Sequence, residues 1–301
     1  MATKRLVVAG GSGFLGLRYM QMGRLTMDAD LWFQDPGYAN QLQRGAGRRS
    51  GEPRWDTVTD SSTRPSWASS VEWAKADLLK PESYKPFLSG ATAVVHSMGI
   101  LLEADYKGVV QGREPIIGGL QRAFSSSKLG SQDPLTRKEG EALKPKEKDG
   151  QLTYELMNRD SAIALAQESL TEHVPAFVYI SAAAGAPILP ARYITTKREA
   201  EDTIASTLPE LRSIFIRPAF MFDSSRKFTL PIALGGFLAS EVNTFLGNKL
   251  GFLGSMAEKP LKVDTVGEAV VEALEDESIR GAVGTKQIEA LATKAWRKSM
   301  L

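Results

Sequence analysis

Three side chains in the second half of the chain have types and spacing suited to proton transfer. Tyr193 and Lys197 lie four residues apart in YITTK, which places them on the same face of a helix. A tyrosine with an ordinary pKa of about 10 needs a nearby cation to act as an acid–base group at neutral pH, and Lys197 can supply that charge. Ser181 ends the apolar run AFVYIS, twelve residues before Tyr193, where it can hold a substrate oxygen. Together these residues predict reduction of a carbonyl group or the reverse oxidation.

A glycine pattern, AGGSGFLG, follows the first apolar run of the chain. Its glycines fit a G-x-x-G-x-x-G spacing between a strand and a helix. Glycine allows close approach of the backbone there, and the amides at the start of the helix can bind pyrophosphate. The pattern therefore predicts a nucleotide-binding loop. The residues expected to contact the nucleotide are Gly10, Gly11, Ser12, Gly13, Phe14, Leu15 and Gly16.

Apolar runs alternate with helical patterns along the chain. Unbroken apolar runs, typical of parallel strands buried on both faces, begin at Arg5, Val71, Thr92, Ala176 and Ser213. Apolar residues at helical spacing begin at Thr153, Ala191 and Thr265. This order predicts an α/β fold, a Rossmann-like doubly wound parallel sheet with a small C-terminal lid region.

Length and composition exclude several classes of protein. The 301 residues suit a single domain over 1–301, and a net charge of +2 without a basic cluster argues against nucleic-acid binding. The chain has no cysteine, and its two histidines lack metal-ligand spacing, so neither a disulfide nor a metal is expected. Of these histidines, His96 is expected to be structural. The apolar stretch 230–239 is too short for a transmembrane helix, which needs about 20 residues.

These residues resemble the short-chain dehydrogenase/reductase superfamily. The glycine loop is similar to its cofactor loop, and RPAFMF is similar to the Arg-Pro loop of its extended and atypical branches. The resemblance implies that Asp77 contacts adenine, and that Gly99 and Pro218 line the cofactor. For a 2′-phosphate of NADP, Arg217 and Arg226 are either auxiliary charges or surface residues. The implied catalytic set is Asn158, Ser181, Tyr193 and Lys197, of which Lys197 also contacts the cofactor.

Longer stretches resemble a narrower family, the fungal mitochondrial accessory proteins of coenzyme Q biosynthesis, which are akin to the nucleotide-binding accessory subunit of respiratory complex I. These stretches are VVHSMGILLEADYKGVV, YELMNRDSAI, YISAAAGAPILPARYITTKREAE and IEALATKAWR. The resemblance implies NAD(P) binding, a location on the matrix side of the mitochondrial inner membrane, and a role with the ubiquinone-synthesis complex. No presequence pattern precedes the first strand.

Two functions are compatible with this resemblance. The first is an NAD(P)-dependent oxidoreductase acting on an unidentified small molecule, for which a quinone intermediate is one candidate. The second is a non-catalytic nucleotide-binding assembly factor of the ubiquinone-synthesis or respiratory complex. The complete Ser–Tyr–Lys set favours the first function. The likeness to accessory proteins favours the second, and HSMG departs from the Asn-rich motif of the catalytically typical branch.

Residues 17–47 form an atypical insertion with no clear counterpart in that family. One interpretation takes DLWFQD as the second strand, so that Asp35 binds a ribose hydroxyl and the cofactor is NAD. Another takes RRSGEPRWD as the family's turn, so that Arg49 and Ser50 meet the 2′-phosphate of NADP. We favour NADP(H) over NAD(H), because the adenine-side turn is otherwise preserved. A third interpretation is an unspliced intron or a wrong gene model.

Residues 226–262 are predicted to form the substrate or lid region. They are rich in Leu, Phe and Gly. A helical lid that packs on the core is the favoured interpretation. The alternative is an apolar surface for a prenylated quinone intermediate or for the membrane face, which allows peripheral membrane association.

Overall fold

The computed structural model describes residues 5–10, 32–34, 55, 62–99, 141–143, 153–185, 190–222 and 258–300. The strands are β1 (Leu6–Ala9), β2 (Trp32–Gln34), β3 (Lys75–Asp77), β4 (Ala93–His96), β5 (Ala176–Ile180), β6 (Arg212–Ile216), β7 (Met221–Phe222), β8 (Leu261–Lys262) and β9 (Gly281–Val283). The α-helices are α1 (Pro81–Leu88), α2 (Ser161–Thr171), α3 (Ala191–Thr207), α4 (Val263–Glu275) and α5 (Thr285–Ser299). A 3-10 helix covers Ser66–Ser70, and a π-helical segment, Glu155–Asp160, leads into α2.

The central sheet has five parallel strands in the order β1-β4-β5-β6-β9. Its register pairs Val7 with Val94, and Tyr179 with Phe215. Strands β2 and β3 form a separate parallel pair, and β2 lies beside β1. A further short parallel pair joins β7 to β8. This architecture confirms the predicted α/β fold with a parallel sheet.

Both faces of the central sheet are buried, because successive side chains of each strand enter different clusters. Leu6 and Val8 of β1 pack in the cluster formed with α4 and α5. Val7 and Ala9 pack in the cluster formed with α1, α2 and α3. Helices thus cover the sheet on both sides, which explains why its strands appear in the sequence as unbroken apolar runs.

The second strand of the fold lies inside the atypical block 17–47. It covers Trp32–Gln34 and pairs in parallel with β3, which is where the NAD interpretation placed it. Its neighbour β3 is shorter than the apolar run that begins at Val71. Asp35, Arg49 and Ser50, which would distinguish NAD from NADP, lie outside the described residues, as does most of the lid region 226–262.

Charged side chains connect helix α4 to α5 and connect the carboxyl end of α4 to strand β6. Glu272 of α4 accepts hydrogen bonds from Lys298 of α5, at 2.7 and 2.8 Å, and pairs with Lys294 at 2.9 Å. The guanidinium of Arg212, at the start of β6, donates to the carbonyls of Leu274 and Asp276, each at 3.0 Å. Arg212 therefore caps the carboxyl end of α4 from the sheet. Over the described ranges, no helix has the length and apolarity needed to cross a membrane.

Candidate functional site

The carboxyl ends of β1 and β4 meet in a tight backbone contact at Gly10. The Ser97 amide and hydroxyl both donate to the carbonyl of Ala9 at 2.9 Å. Gly10 has a φ of +93°, and a Cβ there would lie 2.8 Å from Ser97 Oγ. Both the left-handed conformation and the lack of space require glycine, so this first glycine of the predicted loop is explained by the strand contact. Residues 11–16 of the predicted loop lie outside the described residues.

Lys197 on α3 extends beneath the carboxyl end of β5. Its Nζ donates to the Ile180 carbonyl at 3.0 Å, and lies 5.1 Å from the Tyr179 ring centre and 5.7 Å from the Tyr193 ring centre. The side chain is buried, and this burial lowers the pKa of Lys197 to about 8, although Glu201 acts in the opposite direction. Near neutral pH the amine is therefore a buried cation whose proton is easily lost.

Tyr193 has a half-buried side chain beside this amine. Its ring meets the Tyr154 ring edge-on, with 6.1 Å between ring centres. Burial raises the pKa of Tyr193 to about 12, an effect only partly offset by the positive charge of Arg198. The cation that lowers the pKa of Tyr193 is thus Arg198 and not Lys197, which the sequence suggested, and burial outweighs its effect. The phenol stays protonated at neutral pH and is suited to donating a proton.

Ser181 lies at the end of β5, as predicted, and is buried. Its amide donates to the Ile216 carbonyl at 2.8 Å. Its Oγ accepts a hydrogen bond of 3.0 Å from Nη1 of Arg198. The same guanidinium donates through Nη2 to the carbonyls of Ala182, at 2.7 Å, and Ala183, at 2.8 Å. Sequence reasoning missed Arg198, whose only distinguishing signal is its position directly after Lys197.

A buried carboxylate, Glu201, joins Arg198 to Arg217. Glu201 is only 1% exposed and accepts from Arg198 Nη1 at 2.7 Å. Arg217 donates to it through Nε at 2.9 Å and through Nη2 in a closer contact. Arg217, expected as an auxiliary charge or a surface residue, is thus a partly exposed residue paired with a buried carboxylate, whereas Arg226 lies outside the described residues. The next residue, Pro218, accepts through its carbonyl from the Ala183 amide at 2.8 Å.

Asn158 lies in the π-helical segment and is fully buried. Its carbonyl accepts a hydrogen bond of 2.5 Å from the Tyr179 hydroxyl. A Cβ added to Gly99 would lie 2.9 Å from Asn158 Oδ1 and 3.7 Å from Lys197 Nζ. Asn158, Gly99 and Lys197 therefore converge on one place, next to Tyr193. The wide π turn that supplies the carbonyl is a feature often found at functional sites.

His96 at the end of β4 is fully buried. Its Nε2 lies 3.1 Å from Ser161 Oγ, and that hydroxyl donates to the Met157 carbonyl at 2.7 Å. Because the serine proton is used there, Nε2 must carry the proton of a neutral ring. Burial, helped by the charge of Lys197, lowers the pKa of His96 to about 3. These contacts agree with the structural role expected for His96.

Asp77 ends β3 and stabilises the turn that follows. Its Oδ1 accepts from the Leu79 amide at 3.0 Å, and its Oδ2 lies 3.5 Å from Lys80 Nζ. Its side chain is partly exposed, and its contact with adenine remains a prediction. In the ranges that the structure describes, no cluster of three histidine or acidic side chains is arranged to hold a metal ion.

Comparison with known proteins identifies a relative in yeast and the fold of the chain. No family model matches the chain. MIOREX complex component 2 of Saccharomyces cerevisiae is 31% identical to it over an alignment of 304 positions, which covers 94% of this chain and 98% of the yeast protein. UDP-glucuronic acid 4-epimerase from Bacillus cereus, solved in complex with NAD, superposes with a TM-score of 0.51 at 12% identity, over 93% of this chain and 76% of the epimerase. A short-chain type dehydrogenase/reductase from Mycobacterium ulcerans gives 0.48 at 12% identity, over 96% and 90% of the two chains. The likeness to the epimerase shows that the fold is Rossmann-like.

Proposed function

Because this chain belongs to the family of MIOREX complex component 2 of Saccharomyces cerevisiae and has a Rossmann-like fold, we propose that it binds NAD(P)(H) and acts as an oxidoreductase. Its carbonyl substrate and corresponding alcohol would belong to mitochondrial ubiquinone biosynthesis, on the matrix side of the inner membrane. The resemblance in sequence to accessory proteins of coenzyme Q biosynthesis supports this assignment.

The described residues fit a nicotinamide dinucleotide at the carboxyl edge of the sheet. Gly10 allows a tight turn directly after β1, and Gly99 lets the backbone after β4 approach Asn158 more closely than a residue with a Cβ could. Pro218 lies in the adjoining loop after β6. When bound, the reduced nicotinamide would supply a hydride to the carbonyl carbon of the substrate. Since residues 11–16 and 49–50 are not described, the preference for NADP(H) stays a proposal.

Each side chain of the proposed catalytic set has a separate role in protonating the substrate oxygen. Tyr193, protonated because burial raises its pKa to about 12, donates its proton to the substrate oxygen as the hydride reaches the carbon. Lys197 is cationic near neutral pH and stabilises the tyrosinate left behind, and Ser181 holds the substrate oxygen. Asn158 supports this group through the backbone contact with Tyr179. The product is the alcohol, with one hydride and one proton added to the carbonyl group.

The burial of Lys197 is the observation that carries this proposal. The amine is 5% exposed and lies between two tyrosine rings, one of them the proposed proton donor. Burial of a lysine that lowers its pKa to about 8 costs stability, so packing alone gives no reason to place an amine there. A perturbed lysine beside a tyrosine at the ligand-binding edge of a parallel sheet is typical of an active site.

A fluorescence titration of the purified protein with NADPH and NADH tests nucleotide binding. We expect saturable binding, with tighter binding of NADPH if Arg49 and Ser50 meet a 2′-phosphate. Tighter binding of NADH would favour Asp35 instead. Failure of the folded protein to bind either nucleotide would contradict the proposal.

The second candidate is a nucleotide-binding assembly factor without turnover. It is favoured by the raised pKa of Tyr193, which makes formation of the tyrosinate unfavourable, and by the bond from Arg198 to Ser181, which holds the serine in place without a substrate. Complementation of a yeast strain lacking component 2 with a Tyr193→Phe variant, scored by ubiquinone content, separates the two functions. Loss of complementation supports catalysis and normal complementation supports assembly. Tyr84→Phe, on α1, is the matched control for removing a buried tyrosine hydroxyl.

A further inference from the structure

We infer that Arg198 is a positioning residue, which orients the Ser181 hydroxyl so that its proton points at a carbonyl oxygen of the ligand. The inference deepens the proposed function and rests on it, since it concerns the contact between the site and the substrate oxygen. It gives a role to a charged residue that the sequence pattern did not distinguish from the other charges of α3.

The direction of the hydrogen bond follows from the chemistry of the two groups. A guanidinium has only donors, so Ser181 Oγ must be the acceptor in its 3.0 Å contact with Arg198 Nη1. The serine proton therefore points elsewhere. Among the described residues, the Ser181 hydroxyl donates to no acceptor. Its proton is thus available to an oxygen that arrives at the carboxyl end of β5.

Arg198 is itself held in place from two sides. Its Nη2 donates to the carbonyls of Ala182 and Ala183, which fixes the backbone that follows Ser181. Glu201 holds Nη1 at 2.7 Å, and that carboxylate is anchored in turn by Arg217. The guanidinium therefore cannot turn away from Ser181 without breaking several bonds. Preorganisation of this kind avoids the cost of orienting the hydroxyl when a ligand binds.

The net charge of Arg198, Glu201 and Arg217 also favours donation of a hydrogen bond by the Ser181 hydroxyl. Glu201 is one buried carboxylate between the guanidiniums of Arg198 and Arg217, so the group carries a net positive charge, held on two partly exposed arginines. A positive cluster bonded to Ser181 strengthens its hydroxyl as a donor and favours negative charge on the oxygen that it contacts. The ligand atom that suits this position is the oxygen of a carbonyl group undergoing reduction.

The experiment compares two probes of similar shape that differ in their oxygen atoms, menadione and 2-methylnaphthalene. Dissociation constants for both are measured with the wild-type protein, with and without saturating NADP⁺, which cannot reduce menadione, and the ratio of the two constants is compared between variants. We expect Ser181→Ala and Arg198→Met each to reduce the relative preference for menadione by about fivefold to tenfold, the value of one hydrogen bond. Arg198→Lys keeps the charge but loses the planar fork, so its preference should fall between those of wild type and Arg198→Met.

Arg212→Met is the matched control. Arg212 also donates to several backbone carbonyls, but it lies at the amino end of β6, whereas Ser181 lies at the carboxyl end of the parallel strand β5. This variant should lower the melting temperature and leave the preference for menadione unchanged. If Arg198→Met does not fold, Arg198→Lys is compared in the wild-type and Ser181→Ala backgrounds. It should change the ratio only where the serine hydroxyl is present.

An unchanged ratio in a folded Arg198 variant would overturn the inference, and so would a failure of wild-type protein to bind menadione. The nucleotide titration separates this result from the proposed function. Nucleotide binding with an unchanged ratio rejects the role of Arg198 alone. A changed ratio without nucleotide binding supports the role of Arg198 and rejects the proposed cofactor.

Discussion

Replacement of Lys197 by methionine should change the way in which stability depends on pH. The amine is buried, and burial lowers its pKa from 10.5 to about 8. The unfolded chain keeps the ordinary pKa, so between these two values the unfolded state binds more protons than the folded state. The free energy of unfolding of the wild-type protein therefore rises with pH across this window. Methionine at position 197 removes that contribution.

The size of the effect follows from the two pKa values. Each pKa unit corresponds to about 1.4 kcal/mol, so the charged Lys197 lowers the stability by about 3 kcal/mol at neutral pH, compared with a neutral amine. About 2 kcal/mol of this penalty disappears between about pH 7 and pH 9.5, because most folded molecules then carry a neutral amine. Below about pH 7 the penalty is nearly constant, since the amine is protonated in both states.

Urea denaturation of the wild-type protein and the Lys197→Met variant at several pH values measures this difference. The stability of wild type relative to the variant should rise with pH by the amount given above. Lys298→Met is the control, because Lys298 is exposed and its bonds to Glu272 and Glu275 raise its pKa. The stability contributed by Lys298 is lost as pH rises through its raised pKa, so its difference should not increase. A Lys197→Met difference that stays constant between about pH 7 and pH 9.5 would refute the reasoning.

Three other substitutions or titrations test the packing around the site. Gly10→Ala should lower the free energy of unfolding by about 2–4 kcal/mol, from left-handed strain plus the contact with Ser97, whereas Gly90→Ala, with a φ of +74° but nothing within 4 Å, should cost only about 1–2 kcal/mol. Equal costs in denaturant titrations would contradict this account. Glu201→Gln removes a buried carboxylate that pairs with two arginines and should destabilise the protein by about 3–5 kcal/mol, and a loss below about 1 kcal/mol would show that the pairing contributes little. His96 should remain neutral from about pH 8 to pH 4, because burial lowers its pKa to about 3, and the stability it contributes should fall as the pH drops below about 6.5. An imidazole proton resonance that titrates near pH 6.5 would disagree.

The sheet and α3 could be predicted from the sequence because their signals are local. Four strands of the central sheet, β1, β4, β5 and β6, lie in the unbroken apolar runs of the sequence, whereas the short β9 was not predicted. Helix α3 covers the whole of the predicted helix ARYITTKREAEDTIAST. The spacing of Tyr193 and Lys197 on that helix then fixes which side chains share a face. Ser181 follows β5 directly, and its position at the carboxyl edge is a consequence of the parallel sheet.

The burial of charged groups on α3 could not be predicted in the same way. Arg198 and Glu201 lie in KREAED, a run that is typical of a solvent-exposed helix surface. The chain that follows β5 contacts Arg198 through the Ala182 carbonyl, and Arg217, directly after β6, contacts Glu201. These contacts join segments that are distant in sequence. The pKa of Tyr193 depends mainly on burial and, in the opposite direction, on the charge of Arg198, so a local argument from Lys197 identified neither cause.

The position of β9 has a consequence for synthesis of the chain. A ribosome makes β6 well before β9, although the two strands are neighbours in the finished sheet. Until Gly281–Val283 has emerged, the backbone of β6 keeps one unpaired edge, although the carbonyls of Leu274 and Asp276 that Arg212 binds are made earlier. A nascent chain that stalls before this point presents an open apolar strand, which is a template for aggregation. Protection of this intermediate would then depend on chaperones, and premature termination near the end of the message should yield insoluble protein.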